Sequence, residues 1–93
     1  MTDEIAIRAT IRGEVQGVNY RAWTKEEAER RGLAGWVQNM PDGTVLAQFA
    51  GPRDKVDDML AACREGPRDA RGSAIETERV DPPPASQGFR TNR

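Results

Sequence analysis

Apolar and polar residues alternate over residues 5–11, where Ile5, Ile7, Ala9 and Ile11 are separated by Ala6, Arg8 and Thr10. This period of two predicts a strand with one buried face. Residues 22–31 contain neither Gly nor Pro and are rich in Glu, Lys, Arg and Ala, which predicts a helix. Its buried face is expected to carry Ala22, Thr24 or Trp23, and Ala28, with Lys25–Glu29 and Glu26–Arg30 at ion-pair spacing. Gly32 supplies the stop. Residues 33–38 predict a second strand with Trp36 and Val37 as its bulky members, Trp36 being read as core.

The turn Met40-Pro41-Asp42-Gly43 has hairpin chemistry, so residues 44–50 should return antiparallel with Val45, Ala47 and Phe49, or their alternates, facing the core. Gly51-Pro52 is expected to break that strand and to put Pro52 in the first turn of a helix. In that helix Val56, Met59, Leu60 and Cys63 fall at i, i+3, i+4 and i+7, one apolar face, and Gly66-Pro67 ends it. Residues 70–80 place Ala70, Ala74, Ile75 and Val80 among many charges, as suits an edge strand. Residues 81–88 hold three consecutive prolines and read as a loop, and 88–91 suffice for a short last strand. The order is strand, helix, strand, strand, helix, strand, with a fifth strand to follow. That is the α+β, ferredoxin-like split βαβ plan, βαββαβ, with two helices on one face of a mostly antiparallel sheet.

Composition removes options. A chain of 93 residues is expected to form one domain over 1–93. It has no histidine and one cysteine, Cys63, which excludes intramolecular disulfides, zinc clusters and histidine-based catalysis. Cys63 is read as packing. The net charge of −1 argues against a broad attraction to nucleic acid or anionic lipid, so any anion site must be local. The first residues resemble no secretory leader and no apolar stretch has the length of a membrane span, so a cytoplasmic protein is expected.

A local anion site has a candidate. Gly13-Glu-Val-Gln-Gly-Val-Asn-Tyr-Arg21 joins the first strand to the first helix through a loop with two glycines, and ends in an arginine. A glycine loop before a helix N-terminus presents backbone N–H groups to an anion, and a guanidinium adds a permanent charge and a planar fork of donors. In the split βαβ plan strands one and two are parallel, so their C-terminal ends share one end of the sheet. Arg21 and Asn39 then converge. A cation, a cradle of N–H groups and a neutral amide suit the binding of a phosphoryl group and the orientation of a water.

The 13–21 stretch, followed by Ala28, Gly32-Leu33, Gly35-Trp36-Val37-Gln-Asn39, Asp42-Gly43-Thr-Val45, Gly51 and Gly66-Pro67, resembles the acylphosphatase family over nearly the whole chain. The resemblance implies hydrolysis of the carboxyl-phosphate anhydride bond of acyl phosphates, with inorganic phosphate as product. It implies Arg21 as the phosphate-binding arginine, Asn39 as the water-orienting asparagine, and Val15, Gln16, Gly17, Val18, Asn19 and Tyr20 as the phosphate loop. No cofactor, metal, nucleic acid or membrane partner is expected, and the chain is expected to be a monomer. The leaving carboxylate comes from an acid with a pKa of about 4, so it departs without a general acid. The rival reading, a ferredoxin-like RNA platform, wants paired aromatics on the central strands and a basic face. This chain has two Trp, one Tyr and two Phe and is slightly acidic.

Overall fold

The computed structural model describes residues 4–14, 20–66, 71–81 and 88–92. Five strands and two helices follow in the order β1 (Glu4–Glu14), α1 (Tyr20–Arg30), β2 (Ala34–Asn39), β3 (Val45–Pro52), α2 (Arg53–Glu65), β4 (Arg71–Val80) and β5 (Phe89–Asn92). The sheet order is β4-β1-β3-β2-β5. The antiparallel β3 lies between β1 and β2, which makes those two parallel, and β5 adds to β2 in parallel. This is the ferredoxin-like arrangement, with α1 against β2 and β5 and α2 against β3, β4 and β1.

The core forms between helices and sheet. Ile5, Ala9 and Ile11 of β1 join Val37, Val45, Ala47 and Phe49, and α2 contributes Val56, Met59, Leu60 and Cys63 as its periodicity requires. Ile7 packs at the margin. Alternation along β2 sends Val37 inward, so its neighbour Trp36 must face the other way. Trp36 is only half-buried, with the Arg8 guanidinium 6.0 Å from its ring centroid. The core assignment of Trp36 is therefore corrected: bulk marked a strand, but parity decided the face.

Helix α1 begins two residues earlier than its composition suggested. Tyr20, Thr24 and Ala28 form the buried stripe, spaced four apart, while Ala22, expected inside, is exposed. The large ring of Tyr20 sets that phase. Its ion pairs run through Glu27, to Arg30 at 3.3 Å and Arg31 at 2.9 Å, in place of the expected Lys25 and Glu26 pairs. Arg31 also reaches Asp58 on α2 at 2.8 Å, bracing the C-terminal end of α1. The helix stops at Gly32 (φ 69°), whose N–H donates to Glu29 O while that of Leu33 donates to Ala28 O. These two bonds satisfy carbonyls that the helix end would leave open.

The hairpin turn forms as expected. Asp42 Oδ1 accepts both the N–H and the hydroxyl of Thr44, at 3.0 and 2.6 Å, and these two bonds hold the Asp42 carboxyl below its usual range. β3, however, does not break at Gly51-Pro52. Gly51 and Pro52 pair with Ile5 and Glu4, and Pro52 caps α2 from outside with an extended ψ of 139°. A proline at the last position of a strand removes no needed donor, so it marks the corner without ending the pairing early. β4 is an edge strand along β1, with a register shift at Arg12/Gly13. β5, the short last strand, brings Phe89 onto Phe49 with ring centroids 5.6 Å apart. It comes that close because Gly35 (φ 137°) has no side chain: a Cβ there would lie 1.8 Å from the Gln48 carbonyl oxygen and 3.3 Å from the Phe89 ring.

Candidate active site

Three strands deliver their C-terminal ends to one end of the sheet. Val45 of β3 is flanked by Ile11 of β1 and Asn39 of β2, and Gln38 is paired with Asn92 of β5. Helix α1 starts at this end too, because it follows β1 after residues 15–19. Arg21, in its first turn, sends Nη1 to the backbone oxygen of Asn92 at 2.9 Å. The Asn92 side chain in turn donates to Gln38 Oε1 at 3.5 Å, a long contact beside Asn39. Strand β5 thus touches both expected site elements.

Arg21 and Asn39 are brought to the same end of the sheet, although 18 residues separate their positions in the chain. Asn39 is the last residue of β2, and its buried Oδ1 has no hydrogen-bond partner among the described residues. An unmatched buried acceptor costs about 1–3 kcal/mol, so a free carboxamide oxygen at the end of a tightly paired strand calls for a donor from solution. The nitrogen of Gln38, one residue earlier, is directed instead to Met40 Sδ at 3.1 Å. The loop residues Val15, Gln16, Gly17, Val18 and Asn19 lie outside the described residues. Tyr20 is described, and it is the first residue of α1.

Tyr20 does more than close the loop. Its ring is buried, sits 5.3 Å from that of Trp23, and its hydroxyl donates to the Cys63 backbone oxygen at 2.9 Å. Its own carbonyl accepts from Thr24 Oγ1 at 2.7 Å. Burial, and then the nearby Cys63 thiol, push the phenol far above its ordinary 10.0. Burial likewise pushes the Cys63 thiol up from 9.0 to about 12, with Tyr20 partly offsetting it. Both groups are neutral in the folded state up to higher pH than in the unfolded chain, so unfolding releases protons in alkali. Their stabilising contribution is complete below about pH 9 and is lost as pH rises toward the folded values, at up to about 1.4 kcal/mol per pH unit for each group. The urea midpoint is therefore expected to fall steadily from pH 9 to 11. A flat profile would show that both groups ionise freely in the folded protein.

Two features here had no signal in the sequence. The partner of Arg21 is a main-chain oxygen, which any residue at position 92 would supply, and the Tyr20 hydroxyl finds a carbonyl 43 positions away.

Comparison with known proteins bears on the family and the fold. The acylphosphatase family profile matches residues 7–91. The acylphosphatase of Nitrobacter hamburgensis is 54% identical over 78 residues, covering 84% of this chain and 79% of its own length. That of Rhizorhabdus wittichii is 48% identical over 87 residues, covering 94% and 87%. Among solved structures, an acylphosphatase from Coxiella burnetii superposes with a TM-score of 0.92 at 32% identity, over 97% of this chain and 94% of that one. With the family profile spanning β1 to β5, and with the strand order and helix placement shared with a solved member, this chain belongs to the acylphosphatase family.

Proposed function

We propose that the chain hydrolyses acyl phosphates to a carboxylate and inorganic phosphate, with Arg21 holding the phosphoryl group and Asn39 orienting the attacking water. The observation that carries this reading is the buried Oδ1 of Asn39, without a partner among the described residues, at the sheet end where the Arg21 guanidinium is braced. A water donating to that oxygen gains a fixed orientation and removes the cost of an unmatched acceptor. The backbone N–H groups of Val15, Gln16, Gly17, Val18, Asn19 and Tyr20 complete the cradle around the phosphoryl oxygens in this reading.

The reaction balances without a general acid or a covalent intermediate. The water oxygen forms a bond to phosphorus as the bond to the acyl oxygen breaks, and that electron pair leaves on the carboxylate. One water proton passes to a phosphoryl oxygen. Phosphoryl transfer through a loose transition state leaves the protein chiefly positioning and charge stabilisation to supply. A carboxylate is a good leaving group, which is why no metal is invoked.

In the same reading, residues 1–93 act as one domain. The radius of gyration, 12.1 Å, matches the roughly 12 Å expected of a single compact unit of this length. Monomeric action is proposed because both motifs come from one chain. A cytoplasmic setting is supported by the free buried Cys63, which suits a reducing compartment. Among the described residues no helix is long and apolar enough to cross a membrane. The net charge of −1 gives no support to nucleic-acid binding.

The test is hydrolysis of benzoyl phosphate by purified protein in the presence of a metal chelator, followed by loss of the acyl-phosphate absorbance. Turnover should persist undiminished. No turnover, or a strict metal requirement, would overturn the mechanism.

A further inference from the structure

We propose that Tyr20 is a positioning residue for the anion site: its hydroxyl, tied to the Cys63 carbonyl, fixes the first turn of α1 and so the origin from which Arg21 reaches the phosphoryl group. The inference rests on the assignment of Arg21 to that group.

The geometry has three parts. Cys63 belongs to the last turn of α2, where the final four carbonyls have no intrahelical donor. One of those four, Ala62 O, is taken by the Gly66 N–H at 2.8 Å, and the Tyr20 hydroxyl takes the next at 2.9 Å. The bond is buried, and it lies at the negative end of the α2 dipole, where a donor is favoured. Second, Tyr20 is held at both ends, by its hydroxyl to α2 and by its carbonyl to Thr24 Oγ1. Third, Arg21 is the next residue, and its own side chain is braced on Asn92 O. The first turn of α1 is thus fixed from two sides, and the guanidinium between those fixed points has little freedom to swing.

The opposite end of α1 has a separate attachment, Arg31 to Asp58, about 16 Å away along the helix. The tyrosine tether adjoins the site, and the Arg31 attachment does not. That separation provides the control. Tyr20→Phe keeps the buried ring and deletes only the tether, whereas Arg31→Ala loosens α1 at its far end.

The experiment measures the inhibition constant of inorganic phosphate, with KM and kcat for benzoyl phosphate, in Tyr20→Phe, Arg31→Ala and Arg21→Ala, well below each melting temperature. Tyr20→Phe is expected to raise the phosphate inhibition constant and KM together by about fivefold, with kcat within about twofold, because ground-state and transition-state anion binding weaken alike. Arg31→Ala should lower the melting temperature and leave the phosphate inhibition constant at the wild-type value. If Tyr20→Phe shifts only the melting temperature, or if both helix variants weaken phosphate equally, the tether is merely structural and the proposal fails while Arg21 keeps its role. If Arg21→Ala itself retains wild-type phosphate inhibition, the assignment of Arg21 fails, and the tether proposal fails with it.

Discussion

Arg21→Ala is expected to reduce kcat/KM for benzoyl phosphate by on the order of 10³-fold or more and to abolish stabilisation by inorganic phosphate. Of the five N–H donors in a guanidinium, the Asn92 backbone oxygen takes one from Nη1. That bond takes one edge of the fork, and in the proposed role the remaining donors meet the phosphoryl oxygens. Alanine removes both the charge and the brace. For the wild type, phosphate at about 100 times its Kd should add roughly 2.7 kcal/mol, which for a domain of this size is roughly 10–20 °C in Tm. Thermal melts with and without phosphate, beside steady-state kinetics, check the prediction. Phosphate protection that survives in Arg21→Ala would place the anion site elsewhere. Arg21→Lys should fall between the two, since lysine keeps the charge and loses the fork.

Asn39→Ala should separate binding from chemistry. The carboxamide is given no part in holding phosphate, so phosphate should still raise Tm by the wild-type amount. Turnover should fall by roughly 10²- to 10³-fold, the scale on which one oriented polar group contributes to a transition state. Stability provides an independent check. Among the described residues Asn39 Oδ1 has no protein partner, so its removal breaks no hydrogen bond to them and the unliganded protein should melt close to the wild-type temperature. Equal loss of phosphate protection and turnover would mean that Asn39 supports the loop and not the water.

Much of this arrangement was legible in the residues because local and global signals agreed. The apolar face of α2 came directly from Val56, Met59, Leu60 and Cys63, and each of the four is buried. The meeting of the Arg21 and Asn39 regions followed from topology alone: parallel β1 and β2 end together once β3 lies between them. Errors arose where one side chain had to be assigned a direction. Trp36 has the bulk of a core residue but the wrong parity on β2, and Ala22 belonged to a stripe whose phase Tyr20 had already set. Pro52 suits the start of a helix and the end of a strand equally well, and its pairing with Glu4 places it in β3. Main-chain partners were beyond reach, since a carbonyl at Asn92 or Cys63 has no signature in residue type.

The brace on Arg21 joins positions 71 residues apart. Helix α1 and the β2–β3 hairpin draw on local contacts and are expected to form early in folding, whereas closing so long a segment carries an entropic cost that must be met before the contact repays it. A refolding chain is therefore expected to acquire its helix and its hairpin before the proposed anion site, which is completed last, with the docking of β5. Phosphate added during refolding would then act on the final step alone, holding folded molecules in place without hastening the stages that precede it.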